Sequence, residues 1–391
     1  MFDKEESRIV EENYNYRVLH IFSSYGGGIS SLILNLIENK SKDFKFDLMA
    51  FSYQNGDVFL ERVRRMGADI YQMPRPRIDG YKKFINYLDD VFSKNKYDVV
   101  HCHITGWHAK PFMNVAKKYD IKSFILHAHT TKYDSRIDRL PPVQLYDKYL
   151  NYKNSVAYMT CSDLAASYIY GEKYLSKRKA YLIPNGMDET FFLDALSDEQ
   201  KSAYHKEFDI PEGAFVIGHV GRFSTQKNHF FILDIANELK RKNVNFVLLL
   251  VGSGELFDSV KKKAEACGLE NNIRFVGRRT DIASLMQYFD CMILPSFYEG
   301  LPTVAIECQA SGTHMILSDA ITKQCDMKLG LLDFMPIEDA SLWADAIENT
   351  CKLEHINNLE CLAQIKKQGF TATVAGKQYC DILRNIIAEN A

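Results

Sequence analysis

Apolar residues follow two alternating patterns along most of this chain, short continuous runs and longer stretches with a period near 3.6. The short runs predict buried strands, and the longer stretches predict helices that lay one face on a core. In the first half, strands are predicted at residues 17–23, 46–51, 68–72, 97–103, 123–129, 156–162 and 181–185, and helices at 29–38, 58–66, 80–94, 110–119, 147–154 and 163–170.

The alternation restarts in the second half. Strands are predicted at 215–221, 245–252, 272–277, 290–295 and 314–318, and helices at 229–241, 256–267, 281–288 and 303–310, with further closing helices. This order predicts an α/β protein of two Rossmann-like, doubly wound domains with a cleft between them. Turn residues between 184 and 211 place the junction, so we expect a tail at 1–16, domains at 17–185 and 186–375, and a final helix at 376–391.

Bulk properties fit this interpretation. A chain of 391 residues exceeds one ordinary core, and 46% hydrophobic with 25% charged residues is typical of a globular protein. No apolar run approaches the roughly 20 residues that span a bilayer. The acidic, polar start is unlike a secretory leader, and nine scattered cysteines without CxxC spacing favour reduced thiols in a cytoplasm.

Charge is unevenly distributed along the chain. Residues 13–185 carry 26 Lys and Arg against 16 Asp and Glu, whereas residues 186–391 carry 20 against 29. This segregation is either an incidental property of a solvated surface or a sign that the first domain faces an anionic partner. That partner would be a membrane surface or a lipid diphosphate. A pI near 6.6 argues against nucleic acid.

Two carboxylates flank a turn in the segment MILPSFYEGLPTVAIECQASG, residues 292–312. Glu299 falls in the loop after a buried strand, and Glu307 falls inside the following helix. The free backbone N–H groups at such a helix start favour an anion, and carboxylates bind sugar hydroxyls well. The alternatives are an ordinary turn acid and an exposed helix residue.

Two cations follow the first strand of the second domain. Arg222 and Lys227 are five residues apart, and together they can contact a diphosphate and stabilise the charge that develops as it departs. The alternative is that both are ordinary surface cations. No Asp in the chain has another Asp two positions on, so we expect no divalent metal, with the two cations in its place.

Glycines 26–28 follow the first strand and open a helix, which suits either a phosphate or a tight turn. A dinucleotide site is disfavoured because the loop lacks G-x-G-x-x-G and the second strand ends in Ser-Tyr.

Histidines occur in two pairs at strand ends, His101 with His103 and His127 with His129. Each pair lies on one side of its strand. Four such rings raise the possibility of a metal site, but no matching Cys, Asp or Glu accompanies them. A structural role remains the other alternative.

Several of these segments resemble retaining glycosyltransferases of family 4, which have the GT-B fold. Residues 292–312 resemble the family's E-x7-E motif, and GRFSTQKN at 221–228 resembles its G-R-x-x-x-x-K-N segment. Residues 182–192, 248–256 and 273–282 are similar to three further family segments. Within this family, the chain most resembles the bacterial capsule and exopolysaccharide subgroup.

The resemblance implies roles for individual residues. His129 would lie near the hydroxyls of the transferred sugar, Glu299 would orient that sugar, and Glu307 would hold the ribose. The donor site as a whole would comprise Gly27, Gly28, Arg222, Lys227, Val276, Gly277, Arg278, Glu299, Gly300, Leu301, Pro302, Thr303 and Glu307. The family usually has alanine after the second glutamate, where this chain has Cys308.

The implied function is transfer of a hexose or N-acetylhexosamine, with retention, from a nucleotide sugar that we expect to be UDP-linked. The acceptor would be a lipid-linked glycan, bound by loops near residues 75–81 and 132–142. The basic first domain would contact the inner face of the plasma membrane. Two rivals are a GT-B nucleotide-sugar epimerase and a catalytically inactive partner subunit, and the intact Arg222, Lys227, Glu299 and Glu307 argue against the latter.

Overall fold

The computed structural model describes residues 14–25, 28–52, 57–132 and 136–391, and they form two parallel sheets. The first has seven strands in the order β3-β2-β1-β4-β5-β6-β7, and the second has six in the order β10-β9-β8-β11-β12-β13. The strands are β1 Tyr16–Ser24, β2 Phe44–Ser52, β3 Ile70–Gln72, β4 Val99–Cys102, β5 Ser123–Ala128, β6 Ala157–Thr160, β7 Ala180–Leu182, β8 Phe215–Val220, β9 Phe246–Val251, β10 Ile273–Gly277, β11 Cys291–Leu294, β12 His314–Ser318 and β13 Leu332–Met335.

Helices connect successive strands and cover the sheets. They are α1 Gly28–Glu38, α2 Asp57–Arg65, α3 Tyr81–Lys94, α4 Lys110–Lys118, α5 Pro141–Asn154, α6 Asp163–Tyr170, α7 Glu172–Leu175, α8 Asp198–Glu207, α9 His229–Arg241, α10 Phe257–Ala266, α11 Ile282–Tyr288, α12 Thr303–Ala310, α13 Ala340–Thr350, α14 Asn358–Lys367 and α15 Ala372–Asn390. Short 3₁₀ turns lie at Gly106–Ala109, Glu189–Phe192, Thr225–Lys227 and Lys323–Cys325. The predicted pair of doubly wound parallel sheets is confirmed.

The two sheets bury the apolar runs because crossover helices cover both faces. Strands β4, β5, β6, β9 and β11 are buried along their whole length. The last helix, α15, belongs to the core of the first sheet. Its Tyr379, Leu383 and Ile386 are buried in one cluster with Phe46 from β2. The end of the chain thus packs on the domain that begins it.

Two predicted helix starts need correction, and three elements were not predicted. The final helix begins at Ala372 and not at residue 376, and α5 begins at Pro141 and not at residue 147. Proline suits the first turn of a helix, because its missing N–H would have no partner there. The three elements that were not predicted are the one-turn helix α7, helix α8 in the linker between the domains, and strand β13.

The omission of α8 and that of β13 each have a physical reason. Helix α8 is polar almost throughout, so apolar periodicity does not reveal it; instead Ser197 and Gln200 form a capping box at its start. Strand β13 is a four-residue strand at the edge of the second sheet and is only partly buried. Its side chains therefore lack the continuous apolar run of the central strands.

No helix in the described part of the chain is long and apolar enough to cross a membrane. All nine cysteines are free thiols, and eight of them are buried.

Candidate active site

Lys227 and Glu299 meet at the carboxyl edge of the second sheet. Lys227 ends the 3₁₀ turn after β8, and Glu299 lies in the loop after β11, the strand next to β8. Carboxyl ends of neighbouring parallel strands meet at one edge, so the two loops are brought together. Lys227 Nζ donates to Glu299 Oε1 over 2.7 Å, and the two side chains are only 14% and 10% exposed. The two predicted site residues thus form a mostly buried ion pair.

Gln226 completes the coordination of the Glu299 carboxylate. Its Nε2 donates to Glu299 Oε2 over 3.0 Å and to the carbonyl oxygen of Tyr298 over 2.9 Å. The 3₁₀ turn Thr225–Lys227 therefore contacts both carboxylate oxygens of Glu299 and fixes the orientation of the carboxylate. Gln226 was not predicted as a site residue, although it lies inside the GRFSTQKN segment.

Three consecutive carbonyl oxygens of the 299–301 loop accept hydrogen bonds from the first domain. Their donors are Thr131 Oγ1 to Glu299 at 3.2 Å, Ser162 Oγ to Gly300 at 2.6 Å and Asn185 Nδ2 to Leu301 at 3.2 Å. All three donors follow strands of the first sheet, so the carboxyl edges of the two sheets face each other. None of the three was predicted as a site residue.

The two halves approach each other closely at Gly300. A Cβ atom added there would lie 2.1 Å from the carbonyl oxygen of His129. Any side chain at this position would therefore overlap the backbone that carries His129. Only glycine fits at this position, and the contact holds the backbone of His129 beside the Glu299 loop.

His129 is one of a group of stacked imidazoles. Its Nε2 lies 2.7 Å from His103 Nδ1, and its ring centroid lies 4.0 Å from that of His127. Burial lowers the pKa of His129 to about 3, so the ring is neutral at physiological pH. Ring nitrogens of His103, His127 and His129 lie within 4.8 Å of one another, and so do those of His20, His101 and His103. Neutral imidazoles this close can hold a metal ion or hydrogen-bond to one another, and the observed N–N distances are those of hydrogen bonds.

Arg222 follows the same strand as Lys227, β8, but has a different partner. Its guanidinium contacts Glu255, with Nη2 3.0 Å from Oε2, and its side chain is 70% exposed. Exposed ion pairs of this kind are weak, so Arg222 can exchange Glu255 for another anion at little cost.

Glu307, the second of the two carboxylates predicted for the site, lies on α12. Desolvation raises the pKa of its carboxyl group to about 7. Burial penalises the charged form when no compensating donor is nearby. An ionised Glu307 therefore gains from any ligand that offers hydroxyl hydrogens.

The remaining residues predicted to bind the nucleotide sugar lie at strand ends and helix starts. Pro302 and Thr303 open α12, and the φ of +75° at Gly277 marks the end of β10. Arg278 Nε donates to Ser253 Oγ over 2.9 Å, so its present partner is protein. Gly28 is the first residue of α1, and Gly27 lies outside the described residues.

A large cavity opens in the first domain next to this edge. Its volume is about 1150 Å³, and Thr130, the neighbour of His129, is part of its wall. Apolar side chains form most of the lining, and cationic side chains lie among them. The apolar members include Ile78, Tyr81, Trp107 and Phe112, and the cationic members are Arg75, Arg77 and Lys110.

Trp107 is held firmly in this cavity. Its indole Nε1 donates to Asp138 Oδ1 over 3.0 Å, and its backbone N–H donates to Asp147 Oδ1 over 2.8 Å. Ile78 is 72% exposed and Tyr81 59% exposed, so large apolar surface faces the opening. Exposed apolar surface on this scale usually marks a binding site.

The chain matches two family descriptions in succession. Residues 26–191 match "Glycosyltransferase Family 4", and residues 200–327 match "Glycosyl transferases group 1". The crystal structure of HepE from Anabaena in complex with UDP and glucose superposes with a TM-score of 0.73 at 16% identity, covering 95% of this chain and all of HepE. That likeness confirms the GT-B fold.

Curated relatives agree with these matches. A chain described as UDP-Gal:alpha-D-GlcNAc-diphosphoundecaprenol alpha-1,3-galactosyltransferase, from Escherichia coli, is 26% identical over 249 residues, 62% of each chain. The putative glycosyltransferase EpsF of Bacillus subtilis is 30% identical over 339 residues, 85% of this chain and 86% of EpsF. A relationship of that extent, on a fold and a site of this geometry, shows that the chain belongs to the family 4 glycosyltransferases.

Proposed function

We propose that this glycosyltransferase moves a hexose or N-acetylhexosamine, with retention, from a UDP-linked sugar to a lipid-linked glycan carrying a diphosphate. The product would be part of a cell-surface polysaccharide, made at the inner face of the plasma membrane. The observation that supports a lipid diphosphate as the acceptor is the cavity beside His129, because its wall combines an apolar lining with three cationic side chains.

The lining of this cavity complements the chemistry of a lipid diphosphate. An isoprenoid-like chain needs apolar surface, which Ile78, Tyr81 and Trp107 offer. A diphosphate needs fixed cations, and Arg75 and Arg77 offer planar donors at the same opening. The sugar end of such an acceptor would then reach Thr130 and the adjoining His129. An uncharged soluble sugar would use neither the apolar lining nor the cations.

On the donor side, Lys227 and Arg222 would neutralise the diphosphate as the bond to the sugar breaks. Departure of a diphosphate builds negative charge, and preorganised cations stabilise that charge without a metal. Lys227 is already oriented by Glu299, whereas Arg222 would leave Glu255 to bind the phosphates. We therefore expect full activity in EDTA.

Glu299, Glu307 and His129 would position the rest of the donor. The Glu299 carboxylate would accept hydrogens from the sugar hydroxyls, and Glu307 would accept them from the ribose. Backbone N–H groups at the start of α12, from Gly300 to Thr303, would contact the phosphates. Val276 and its neighbours at the end of β10 would lie near the base.

The test is a transfer assay with the full-length protein in EDTA. The donors are UDP-glucose, UDP-galactose, UDP-GlcNAc, UDP-GalNAc and GDP-mannose. The acceptors are a polyprenyl-diphosphate sugar in detergent and the same sugar without lipid. We expect one UDP-sugar to be consumed rapidly only when the lipid diphosphate is present. Interconversion of two nucleotide sugars without any acceptor would instead show that the protein is an epimerase. Failure to bind any of the five nucleotide sugars would overturn the proposal.

Cavity variants test the acceptor site separately. Trp107→Ala should raise the KM for the lipid acceptor by about tenfold, because an aromatic contact of this size is lost, while slow donor hydrolysis is unchanged. Tyr146→Ala is the matched control, since Tyr146 is an exposed aromatic residue of the same domain that does not line the cavity. Equal acceptor KM values for the two variants would exclude this cavity as the acceptor site.

A further inference from the structure

Five histidines of the first sheet and one tyrosine of α15 form a continuous series of hydrogen bonds. Every inner ring uses both of its nitrogens, and among the described residues the series does not branch. In order, the links are His127 Nδ1 to His101 Nε2 at 3.1 Å, His101 Nδ1 to Tyr379 Oη at 2.6 Å, Tyr379 Oη to His20 Nε2 at 3.2 Å, His20 Nδ1 to His103 Nε2 at 3.0 Å, and His103 Nδ1 to His129 Nε2 at 2.7 Å. We call this series the histidine chain.

All six members of the histidine chain are uncharged. Burial lowers the pKa of His20 and of His129 to about 3, and lowers the pKa of the other three rings well below the usual value. Burial also raises the pKa of Tyr379 well above its usual value, so its hydroxyl keeps its proton. Each ring therefore has one N–H and one bare nitrogen, and the phenol has one O–H.

This condition couples the tautomers of the rings on each side of Tyr379. Each link needs one donor and one acceptor, and each ring can donate once along the chain. The phenol oxygen can donate on one side and accept on the other, or accept on both sides. Three sets of tautomers therefore satisfy every link: hydrogen on every Nε2, hydrogen on every Nδ1, or hydrogen on Nδ1 of His101 and His127 with hydrogen on Nε2 of the other three rings. Any other set would leave at least one link with two donors or two acceptors.

Bond lengths at Tyr379 select one of these sets. The 2.6 Å link to His101 matches an O–H donor, and the 3.2 Å link to His20 matches the longer range of an N–H donor. Tyr379 thus donates to His101 and accepts from His20, which is the set with hydrogen on every Nε2. His129, at one end of the chain, is left with a bare Nδ1, and His127, at the other end, is left with a buried Nε2–H that has no acceptor among the described residues.

We propose that Tyr379 is a positioning residue that acts through His20 and His103 to fix the tautomer of His129, so that its Nδ1 accepts a hydroxyl hydrogen from the donor sugar. The proposal rests on the proposed function in taking a sugar as the ligand of His129. It gives the last helix a role in the site, since α15 supplies the hydroxyl that links two otherwise separate arms of the chain.

Removing the Tyr379 hydroxyl has a defined consequence. In Tyr379→Phe, the buried Nε2–H of His20 loses its acceptor. His20, His103 and His129 form one arm of the histidine chain. If every hydrogen bond in this arm reverses its direction, the hydrogen without an acceptor is no longer on His20 but on Nδ1 of His129, which is half-buried and therefore more accessible to solvent. We expect these three rings to change to the Nδ1–H tautomer, whereas His101 and His127 keep hydrogen on Nε2.

Nitrogen NMR of the full-length protein labelled with ¹⁵N-histidine reads each tautomer directly. In the unaltered protein we expect one tautomer, Nε2–H, for all five rings. His20→Leu breaks the same arm at another point and should also convert His103 and His129. Tyr170→Phe is the control, because Tyr170 is equally buried in this domain but donates to the carbonyl oxygens of Leu126 and Met159. It should leave all five tautomers unchanged.

Activity provides a second measurement. Tyr379→Phe should lower kcat about tenfold, the effect of one hydrogen bond, with the KM for the nucleotide sugar within about twofold of the original. Mixed tautomers in the unaltered protein would overturn the proposal, and so would a His129 tautomer that neither variant changes. The spectra need no substrate, so they decide on the histidine chain even if the transfer assay fails.

Discussion

Lys227 and Glu299, 72 residues apart in the chain, form an ion pair with an Nζ to Oε1 distance of 2.7 Å. Both side chains are largely buried where the two sheets face each other. A buried pair stabilises a protein little compared with apolar packing, but loss of one partner leaves an uncompensated charge. Such a pair is better suited to holding two charges in position for a ligand.

Replacing only one member of this pair should therefore damage both folding and activity. We expect Lys227→Met to lower the free energy of unfolding by on the order of 3 kcal/mol, because Glu299 stays buried without its cation. The double variant Lys227→Met/Glu299→Gln should regain most of that stability, yet both variants should lose 10²-fold or more in kcat, as an estimate of order of magnitude. Urea unfolding and transfer assays measure the two effects separately.

Lys328→Met is the matched control for this prediction, since Lys328 pairs with Asp326 at the surface with 69% of its side chain exposed. It should change neither quantity appreciably. Equal stability losses in Lys227→Met and Lys328→Met would show that the Lys227 pair is not buried in solution.

Glu307 should make nucleotide binding depend on pH near neutrality. Its carboxyl pKa is raised to about 7, and we expect the ribose to be bound by the ionised form. Affinity for the UDP-sugar, whose diphosphate is esterified at both ends and does not titrate in this range, should then fall about tenfold from pH 8 to pH 6, and Glu307→Gln should abolish this dependence. Calorimetric titration of the UDP-sugar at several pH values tests it. His129 and His229, with pKa values lowered to about 3 and about 4, stay neutral over this interval.

The same shift has the opposite effect on stability. A carboxyl group whose folded pKa is raised above the unfolded value of 4.5 is most favourable when protonated, and this contribution disappears as pH rises towards 7. Glu307→Gln should therefore stabilise the protein relative to the original more at pH 8 than at pH 5, by up to about 3 kcal/mol. A difference independent of pH would contradict the raised pKa.

Gly300→Ala should prevent the two sheets from meeting in this arrangement. The new methyl group would lie 2.1 Å from the carbonyl oxygen of His129, which is far inside van der Waals contact. We expect kcat to fall by 10²-fold or more, as an order of magnitude, because sub-ångström misplacement of reacting groups is costly. Thr131→Ala removes one hydrogen bond at the same contact without adding atoms and should cost less than about tenfold.

Gly376→Ala should destabilise the protein although alanine favours helices over glycine by about 1 kcal/mol. In α15 an added Cβ would lie 2.6 Å from Cβ of Asn39 and 2.9 Å from its carbonyl oxygen. Overpacking of this kind costs roughly 1–3 kcal/mol, so the net effect should be a lower Tm. Lys377→Ala, at an exposed position of the same helix, should leave Tm unchanged or higher. A Tm for Gly376→Ala above that of the original would show that α15 does not pack closely on α1.

The sequence by itself determined the two-domain α/β architecture and most element positions. Buried strands such as β9, with its uninterrupted FVLLLV, need an apolar run, and helix α9 was predicted at its observed bounds, His229–Arg241. These features depend on neighbouring residues alone. Where local pattern was weak, as in polar α8 and in edge strand β13, prediction failed.

Candidate chemistry was also partly local. Lys227, Glu299 and Glu307 were identified from segments that resemble family motifs, and the structure brings the first two into contact. The roles of these residues in binding and catalysis remain predictions.

Only the tertiary structure decided which distant side chains meet. Thr131, Ser162 and Asn185 donate to the Glu299 loop because the carboxyl edges of two sheets face each other, a relation without a local sequence pattern. His20 and Tyr379 join the four predicted histidines because β1 lies beside β4 and α15 packs on the first sheet. Hydrogen bonds depend on distances of tenths of an ångström, and such distances are set by packing over the whole chain.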